Sequence, residues 1–249
     1  MSKTGGGRGT NQYAIKGVGK SRRSQGDLVH QHQEAPLVDL TLPPLPDWDL
    51  YDAQYGETPI DEDVRGSLTE RYRWVRTKAE LNRAESTNIS MAVAWLWENP
   101  FAEPADLLDQ ISLRQLHARM FNEVWLWAGK TRVQETNLGV EPSQITQRLQ
   151  VLLGNTLWQI DNDAYPREEF GTRFHRDLVA IHCFPNGNGR HARLVANELA
   201  RILGLGRNFY SWGRRSKESP AVVRRRYIDV IKHADSTGDY MPLNKFSTS

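Results

Sequence analysis

The sequence predicts a mainly α-helical protein. From about residue 64 onward, apolar residues recur at helical spacing in one segment after another. The chain shows neither an alternation of strands with helices nor an internal repeat. Only residues 130–141 have the short, turn-rich character of a β-hairpin. We therefore expect an all-α bundle that carries one short β-hairpin flap.

The first two predicted helices lie ahead of a proline. An apolar stripe runs from Leu68 to Asn82, and a second runs from Ile89 to Leu96. Pro100 ends the second segment, because proline cannot continue a helix.

The remaining helices are predicted from their caps and their periodicity. Ser112 and Gln115 form a capping box that opens a helix, whose apolar face continues to Trp127 and which Gly129 closes. Four further helices follow, over residues 142–160, 166–181, about 188–203 and about 220–234.

The segment ahead of these helices is first Gly-rich and then Pro-rich. Residues 1–26 carry six positive charges and no acid, whereas residues 27–70 carry eleven acids and one base. Because this segment lacks sustained apolar periodicity, we expect residues 1–55 to form a partly disordered arm and residues 56–249 to form one domain. Nucleic-acid binding by the arm is an alternative, but six charges alone give only salt-sensitive affinity for a phosphate backbone.

Composition excludes several classes of protein. The longest apolar stretches are far shorter than the roughly 18–20 residues of a membrane span. No apolar run follows the basic residues at the start, so we expect no secretory signal peptide. Cys183 is the single cysteine, which excludes an intrachain disulfide and a multi-cysteine zinc cluster. The sequence therefore favours a reducing, cytoplasmic compartment.

The stretch that carries chemistry is HCFPNGNGRHAR, from His182 to Arg193. Gly187 and Gly189 permit positive φ angles, which point successive N–H groups into one concavity. A helix that begins near Asn188 adds the positive end of its dipole. The turn is therefore predicted to bind an anion.

Two arginines and a histidine extend this anion site. Arg190 and Arg193 are three residues apart and share a helix face, and two guanidinium groups suit a polyphosphate better than a single carboxylate. His182 lies at the edge of the pocket, where it could accept a proton from an incoming hydroxyl. These parts suit phosphoryl or nucleotidyl transfer. The alternative is a Gly-rich connection between helices with two solvated arginines.

The stretch resembles the signature of the Fic family, His-x-Phe-x-(Asp/Glu)-Gly-Asn-Gly-Arg-x-x-Arg. It matches at His182, Phe184, Gly187, Asn188, Gly189, Arg190 and Arg193. The upstream run that ends in WAGKTR is similar to the Fic core, where a helix ends in a W-A-G-x-x-R turn. The order of TPID, AELNRAESTNI, WAGKTR, HCFPNGNGRHAR and GDYMPL is most similar to the subgroup called mobile mystery protein B. The resemblance covers roughly residues 58–245 and implies a Fic-type helical bundle.

The resemblance implies a protein adenylyltransferase that transfers AMP from ATP to a hydroxyl side chain of a target protein. His182 would deprotonate the hydroxyl, which attacks the α-phosphate, and Phe184 would anchor the loop in the core. The nucleotide-binding residues would be Gly187, Asn188, Gly189, Arg190 and Arg193. Segment 131–140 resembles the flap that aligns the target by strand pairing, with Thr136, Asn137, Leu138 and Gly139 at its centre.

Two residues depart from the family pattern. Asn186 stands where the family usually has an acid that holds Mg²⁺, and an amide oxygen lacks the charge this ion prefers. Either the phosphates and waters suffice to hold the metal, or the protein is a catalytically weak nucleotide-binding module. Phosphate transfer of the Doc type is a further alternative, although that group has Lys in place of Gly189. Cys183 replaces the usual proline and is expected to be a packed residue rather than a nucleophile.

Regulation is left open by the sequence. The family often carries an inhibitory helix with the pattern (Ser/Thr)-x-x-x-Glu-(Gly/Asn), whose glutamate pairs with the second arginine, and this chain has no strict match. Self-inhibition through Glu80 or Glu85 and inhibition of a toxin-like protein by a separate antitoxin are both consistent with the sequence.

His191 is a candidate lining residue of the nucleotide pocket. The basic clusters at 214–217 and 224–226 form either a solvated face or a docking surface for an acidic segment.

Overall fold

The computed structural model of the protein describes residues 62–136 and 139–249, and this part of the chain is helical. The helices are α1 (Glu62–Gly66), α2 (Lys78–Glu98), α3 (Pro104–Leu107), α4 (Gln110–Phe121), α5 (Ile145–Asp161), α6 (Arg167–Ile181), α7 (Asn188–Ile202), α8 (Pro220–Thr237) and α9 (Met241–Thr248). Short 3-10 turns lie at Glu70–Tyr72 and Pro142–Gln144. The prediction of a mainly α-helical fold is confirmed. The predicted arm, residues 1–55, lies outside the described residues.

None of the helices in the described ranges is both long enough and apolar enough to cross a membrane.

The start of α2 differs from the prediction of a helix over 68–82. The Thr77 side chain accepts a hydrogen bond from the Glu80 N–H, and the Glu80 carboxylate accepts one from the Thr77 N–H. This reciprocal cap satisfies two donors that a helix start leaves unpaired, so α2 begins at Lys78 rather than near Leu68. A single helix then continues to Glu98 and includes the second predicted stripe but only the last residues of the first.

Helix α4 starts earlier and ends earlier than the sequence predicted. The Asp109 carboxylate accepts hydrogen bonds from the N–H groups of Ile111 and Ser112, so Asp109 is the cap and Ser112 lies in the first turn. The helix ends at Phe121, and turns occupy the chain from there to Gly129. The predicted continuation to Trp127 is therefore wrong.

The core places the functional turn between several helices. Helices α6 and α7 pack against each other along buried apolar faces that include Phe174, Leu178, Val195 and Leu199. A second apolar cluster joins α2 to α4. The turn at residues 182–187, between α6 and α7, consequently lies against side chains from α4.

The predicted hairpin flap is described only in part. Residues 131–136 and 139–140 form no strand, and Asn137 and Leu138 lie outside the described residues. Both ends of the segment are attached to the α6–α7 turn, because the Arg132 N–H donates to the Cys183 carbonyl (3.0 Å) and the Val140 N–H donates to the Ile181 carbonyl (3.3 Å). A hairpin at the tip of this segment stays a prediction.

Candidate functional site

His182 occupies the first position after α6. Its backbone is left-handed, with φ 56° and ψ 61°, a conformation that costs a non-glycine residue free energy. Two hydrogen bonds hold it there: its N–H donates to the Leu178 carbonyl (3.3 Å), and its carbonyl accepts from Arg132 Nε (2.6 Å). The direction of the imidazole is therefore set by the end of α6 and by a buried arginine.

The surroundings of His182 favour the neutral imidazole. The pKa of His182 is lowered to about 4: burial lowers it most, the positive charge of Arg132 acts in the same direction, and the Val179 carbonyl opposes the shift. Nδ1 is buried and has no partner within hydrogen-bonding geometry. At neutral pH the ring is thus unprotonated, which is the form a general base requires.

Arg132 joins the flap segment to the base-bearing turn. Its buried guanidinium donates to three carbonyls, those of His182, Gln134 (3.0 Å) and Val140. One side chain therefore ties both ends of segment 131–140 to the turn that holds His182. Arg132 belongs to the WAGKTR run, but this role could not be predicted from the sequence, because its three acceptors are backbone atoms brought together only by the fold.

Gly139 lies directly against the histidine. Its φ is +95°, and a Cβ atom there would lie 2.4 Å from His182 Cβ and 2.8 Å from the Ile181 carbonyl oxygen. No larger residue fits this position without displacing the turn. Gly139, predicted as a flap residue, therefore contacts the predicted base itself. Thr136 of the same segment is exposed.

The turn between α6 and α7 that is predicted to bind an anion (residues 182–187, the anion turn) is held in place by contacts of neighbouring side chains. The Asn188 amide accepts from the Phe184 N–H (2.9 Å) and donates to the Phe184 carbonyl (2.7 Å), and the Phe184 ring is buried. At Gly187, φ is +80° and a Cβ atom would lie 2.5 Å from the Phe121 ring. Phe184 thus has the predicted anchoring position. Asn188 can offer an anion its backbone N–H at the start of α7, since its side chain is used within the loop.

His117 of α4 contacts the same turn through a hydrogen bond and through ring stacking. Its Nδ1 accepts from the Gly129 N–H (3.0 Å), so Nε2 carries the proton and donates to the Asn186 carbonyl (3.1 Å). The ring stacks on Phe184 with centroids 3.6 Å apart. Burial lowers the pKa of His117 well below its usual value, so the ring is neutral. His117 therefore links the turn after α4 to the anion turn.

His191 and Cys183 are structural. A ring nitrogen of His191 bonds to the Leu113 carbonyl (2.9 Å) inside the core, and burial lowers the pKa of His191 to about 4. The structure places this ring in the packing between α4 and α7. Burial raises the pKa of the Cys183 thiol to about 12, so it is protonated at neutral pH and is no nucleophile.

Asn186 does not offer a ligand set suited to Mg²⁺. Its Oδ1 accepts from the Gly187 N–H (2.7 Å), and its carbonyl accepts from His117. Both oxygens are thus used within the protein, and Mg²⁺ prefers anionic oxygens in octahedral geometry. In the described parts of the chain, no group of three His, Cys, Asp or Glu residues is placed to hold a metal ion. The residues at this turn do not fit a protein-held Mg²⁺.

Arg190 is paired with a glutamate from α2. Its Nη1 donates to Glu85 Oε2 (2.7 Å), and Glu85 Oε1 accepts from Trp125 Nε1 (2.7 Å). The Glu85 side chain is 3% exposed and that of Arg190 is 31% exposed. Of the two glutamates that the sequence offered as inhibitory, Glu85 thus reaches the site. It contacts the first arginine, not the second that the resemblance implied. Glu80 serves as a helix cap instead.

Arg193 is held differently. Its guanidinium carbon lies 5.7 Å from the centre of the Tyr227 ring. Burial lowers the pKa of Arg193, and the nearby charge of Arg190 acts in the same direction. The space above Gly189 is open, with Arg193 Nη1 as the near neighbour of a Cβ placed there. Arg190 and Arg193 thus both lie on α7 close to its start, near the open space above Gly189.

This geometry combines a neutral imidazole with a concentration of positive charge. The backbone N–H groups at the start of α7, the helix dipole and two guanidinium groups favour an anion with several negative oxygens. His182 precedes this start by one short turn. The arrangement suits proton transfer from a hydroxyl beside a bound polyphosphate.

Residues 107–200 match the model of the Fic/DOC family. A comparison with curated proteins found no match.

Among the solved structures to which the chain is similar are three from Bartonella. The N-terminal FIC domain of the Bep8 protein from Bartonella sp. 1-1C has a TM-score of 0.55 at 17% identity, over 70% of this chain and 88% of that one. The BepC protein from Bartonella tribocorum, with bound AMPPNP, has a TM-score of 0.56 at 18% identity, over 73% and 90%. The N-terminal Fic domain of a VirB-translocated Bep effector protein from Bartonella quintana, with bound ADP, has a TM-score of 0.53 at 18% identity, over 70% and 86%.

These similarities show the fold, and the predicted Fic-type helical bundle is confirmed. The more specific assignment to the mobile mystery protein B subgroup stays a prediction.

Proposed function

With the match of residues 107–200 to the Fic/DOC family as the premise, we propose that this protein is a nucleotidyltransferase. It would transfer AMP from ATP to a hydroxyl side chain of a target protein. The observation that carries the proposal is the neutral imidazole of His182 at the end of α6, one short turn before α7, the helix that carries Arg190 and Arg193. The nucleotides bound in two similar structures support ATP as the ligand.

In the proposed reaction, the target hydroxyl gives its proton to His182 while its oxygen attacks the α-phosphorus of ATP. The bond between the α-phosphorus and the bridging oxygen breaks, and pyrophosphate leaves. The N–H groups at the start of α7 and the two arginines would hold the phosphates and stabilise the charge that develops on the leaving group.

We further propose that segment 131–140 aligns the target. The Arg132 side chain and two backbone hydrogen bonds hold both ends of the segment to the α6–α7 turn. A target strand that pairs with Thr136, Asn137, Leu138 or Gly139 would thereby place its hydroxyl near His182.

Glu85 gives a second element to the proposal, which is that the protein is held inhibited. A carboxylate on Arg190 occupies a guanidinium that the phosphates of ATP would otherwise use. Inhibition by Glu85 would act in cis, whereas Glu80 is committed to capping α2. A separate antitoxin that supplies such a glutamate to a toxin-like protein stays the alternative.

One observation favours a second candidate function, a catalytically weak nucleotide-binding module. Both oxygens of Asn186 are engaged within the protein, so the turn lacks a metal-binding acid. In this case the site would bind ATP and transfer nothing. Phosphate transfer of the Doc type has no comparable support from the geometry.

Labelling separates these functions. The protein is incubated with a cell lysate and with ATP labelled at either the α- or the γ-phosphate. His182→Ala tests the base, and His233→Ala is the matched control because His233 is an exposed histidine paired with Asp239. We expect α-label on a protein target with wild type and His233→Ala, and none with His182→Ala.

The other outcomes are equally informative. Protein label from the γ-phosphate alone would show phosphate transfer. ATP binding by calorimetry without any label would favour the binding module. Labelling that persists in His182→Ala would contradict the proposed base.

A further inference from the structure

Segment 131–140 supplies hydrogen bonds to the backbone at the carboxyl end of α6. Three successive carbonyls accept from the segment, those of Ile181, His182 and Cys183. The donors, in the same order, are the Val140 N–H (3.3 Å), Arg132 Nε (2.6 Å) and the Arg132 N–H (3.0 Å). A helix end leaves its last carbonyls without intrahelical partners, so the segment completes α6 and continues over the two residues that follow it.

The Arg132 guanidinium closes this set of hydrogen bonds. Besides the His182 carbonyl, it donates to the carbonyls of Gln134 (3.0 Å) and Val140. Val140 therefore donates to the end of α6 and accepts from the side chain that holds the next residue. A guanidinium presents its N–H groups in a rigid planar fork, so acceptors on different parts of the chain are fixed relative to one another. The side chain is 4% exposed, so water hardly competes for these bonds.

The position of the imidazole depends on the same bonds. The left-handed backbone of His182 costs free energy and persists only where its surroundings determine it. A Cβ atom on Gly139 would lie 2.4 Å from His182 Cβ and 2.8 Å from Arg132 Nη2, so the segment already touches both residues. A shift of the guanidinium would consequently move the base and the segment that faces it.

The acceptors of Arg132 differ in place from the groups that would hold a nucleotide. They belong to segment 131–140 and to the first two residues after α6. The phosphates would instead be held at the start of α7. Loss of Arg132 should therefore impair proton transfer and target alignment while it leaves nucleotide affinity unchanged.

We propose that Arg132 is a positioning residue, which holds the His182 imidazole and segment 131–140 in register with each other. The hydroxyl of a target bound along the segment is thereby brought to the base. This inference deepens the proposed function and rests on it for the identity of the target hydroxyl. Arg132 contributes no atom to the reaction and acts through backbone carbonyls.

Two substitutions separate the geometry of Arg132 from its charge. Arg132→Lys keeps the positive charge and loses the planar fork, whereas Arg132→Met loses both. For Arg132→Lys at saturating ATP, we expect the rate of α-label incorporation into lysate protein to fall about 100-fold, as for a misplaced catalytic group. The dissociation constant for ATP, measured by calorimetry, should stay within about twofold of the wild-type value.

The charge is followed at the imidazole itself. NMR of labelled histidines, assigned with His182→Ala, gives the pKa of His182 in each variant. The Arg132 charge lowers this pKa, and the other titratable groups that face the pair are the Cys183 thiol and the Glu135 carboxylate. The pKa should therefore rise more in Arg132→Met than in Arg132→Lys, because only the first variant loses the positive charge.

Arg114→Lys is the matched control. Arg114 Nε also donates to a backbone carbonyl, that of Gly129 (3.1 Å), but this acceptor belongs neither to segment 131–140 nor to the turn that holds His182. The control should leave the labelling rate, the ATP affinity and the pKa of His182 unchanged. Urea unfolding verifies that each variant is folded.

The remaining outcomes overturn the positioning role or the function beneath it. Labelling by Arg132→Lys within about twofold of wild type, a joint loss of labelling and ATP affinity in a folded variant, or equal pKa values in both variants would each refute the positioning role. If wild type labels no protein, the proposed nucleotidyl transfer fails, and Arg132 is judged by hydrogen exchange. The Val140 N–H should then exchange about tenfold faster in Arg132→Lys, and an unchanged rate would overturn the proposal.

Discussion

The pairing of Glu85 with Arg190 allows a direct test of whether the anion site is held closed. Glu85→Gln removes the negative charge and keeps both the size of the side chain and one carbonyl oxygen. Trp125 Nε1, which donates to Glu85 at 2.7 Å, can still donate to this oxygen. The substitution thus changes the partner of Arg190 and little else.

The size of the expected effect follows from the surroundings of the two groups. A hydrogen bond to a charged group contributes about 1.5–3 kcal/mol. The carboxylate is almost fully buried, but about a third of the Arg190 side chain faces water, which weakens the pair by screening. We therefore estimate that displacement of Glu85 in the wild type reduces the free energy of ATP binding by about 1–2 kcal/mol. Removal of this competition should tighten ATP binding about 5–30-fold.

Calorimetry with ATP and incorporation of α-label measure the result. Glu80→Gln is the control, because it makes the same change of charge at the cap of α2 and should leave ATP affinity unaltered. Urea unfolding verifies that both variants are folded. Weaker ATP binding by a stably folded Glu85→Gln variant would refute the reasoning, since Glu85 would then support Arg190 rather than compete for it.

Three further predictions concern the turn and its histidines. Gly139→Ala should lower the free energy of unfolding by about 1–3 kcal/mol and abolish most of the labelling, because its Cβ would lie 2.4 Å from His182 Cβ. Gly154→Ala in α5 is the control, since a Cβ there meets nothing within 4 Å, and urea unfolding should show it to be neutral or stabilising. Asn186→Asp should make ATP affinity depend on Mg²⁺ when calorimetry is run with and without a chelator, and an unchanged dependence would contradict the account of this position. Acid should destabilise the protein as the pH falls from about 6.5 toward 4, because histidines whose folded pKa is lowered take up protons only on unfolding, at up to about 1.4 kcal/mol per pH unit for each. The histidines concerned are His117, His175, His182 and His191, and equal urea midpoints at pH 7 and pH 5 would disprove their contribution.

The parts of the molecule that the sequence predicted well are those determined by neighbouring residues. Helix α6 ends at Ile181 and α7 starts at Asn188, as expected from the glycines and from the apolar spacing on either side. The conformation of Gly187 and the bonds between Asn188 and Phe184 span four residues or fewer. Local chemistry of this kind can be read from a short stretch of sequence.

Helix boundaries were predicted less well where two capping signals compete. Ser112 has the pattern of a capping box, but Asp109 lies three residues earlier and its carboxylate takes the N–H of Ser112 itself. Likewise, the apolar stripe from Leu68 did not indicate that Thr77 would be the N-cap of α2, so that the helix does not extend toward Leu68. Periodicity reports which face is buried, and capping decides where the helix begins.

Contacts between residues that lie far apart in the sequence, among them the partner of Arg190, could not be predicted. Glu85 and Arg190 are 105 residues apart, and His117 and Asn186 are 69 residues apart. Such contacts depend on how helices pack, and no periodicity within one helix encodes them. The resemblance to a family suggested a glutamate near an arginine, but the structure was needed to show which glutamate and which arginine meet.

The two arginines share one face of α7, yet their partners make them unequal toward an anion. Arg190 faces a carboxylate, whose charge offsets its own, while Arg193 lies beside the neutral Tyr227 ring, and burial leaves its charge little solvated. An incoming phosphate therefore gains attraction from Arg193 at once, and gains it from Arg190 only after Glu85 has been displaced. It follows that a ligand with a single phosphate can bind at Arg193 alone. A longer phosphate chain also contacts the Arg190 guanidinium, and this contact offsets the free energy needed to displace Glu85. The unequal pairing thereby favours polyphosphates over monophosphates without requiring any contact to the nucleoside.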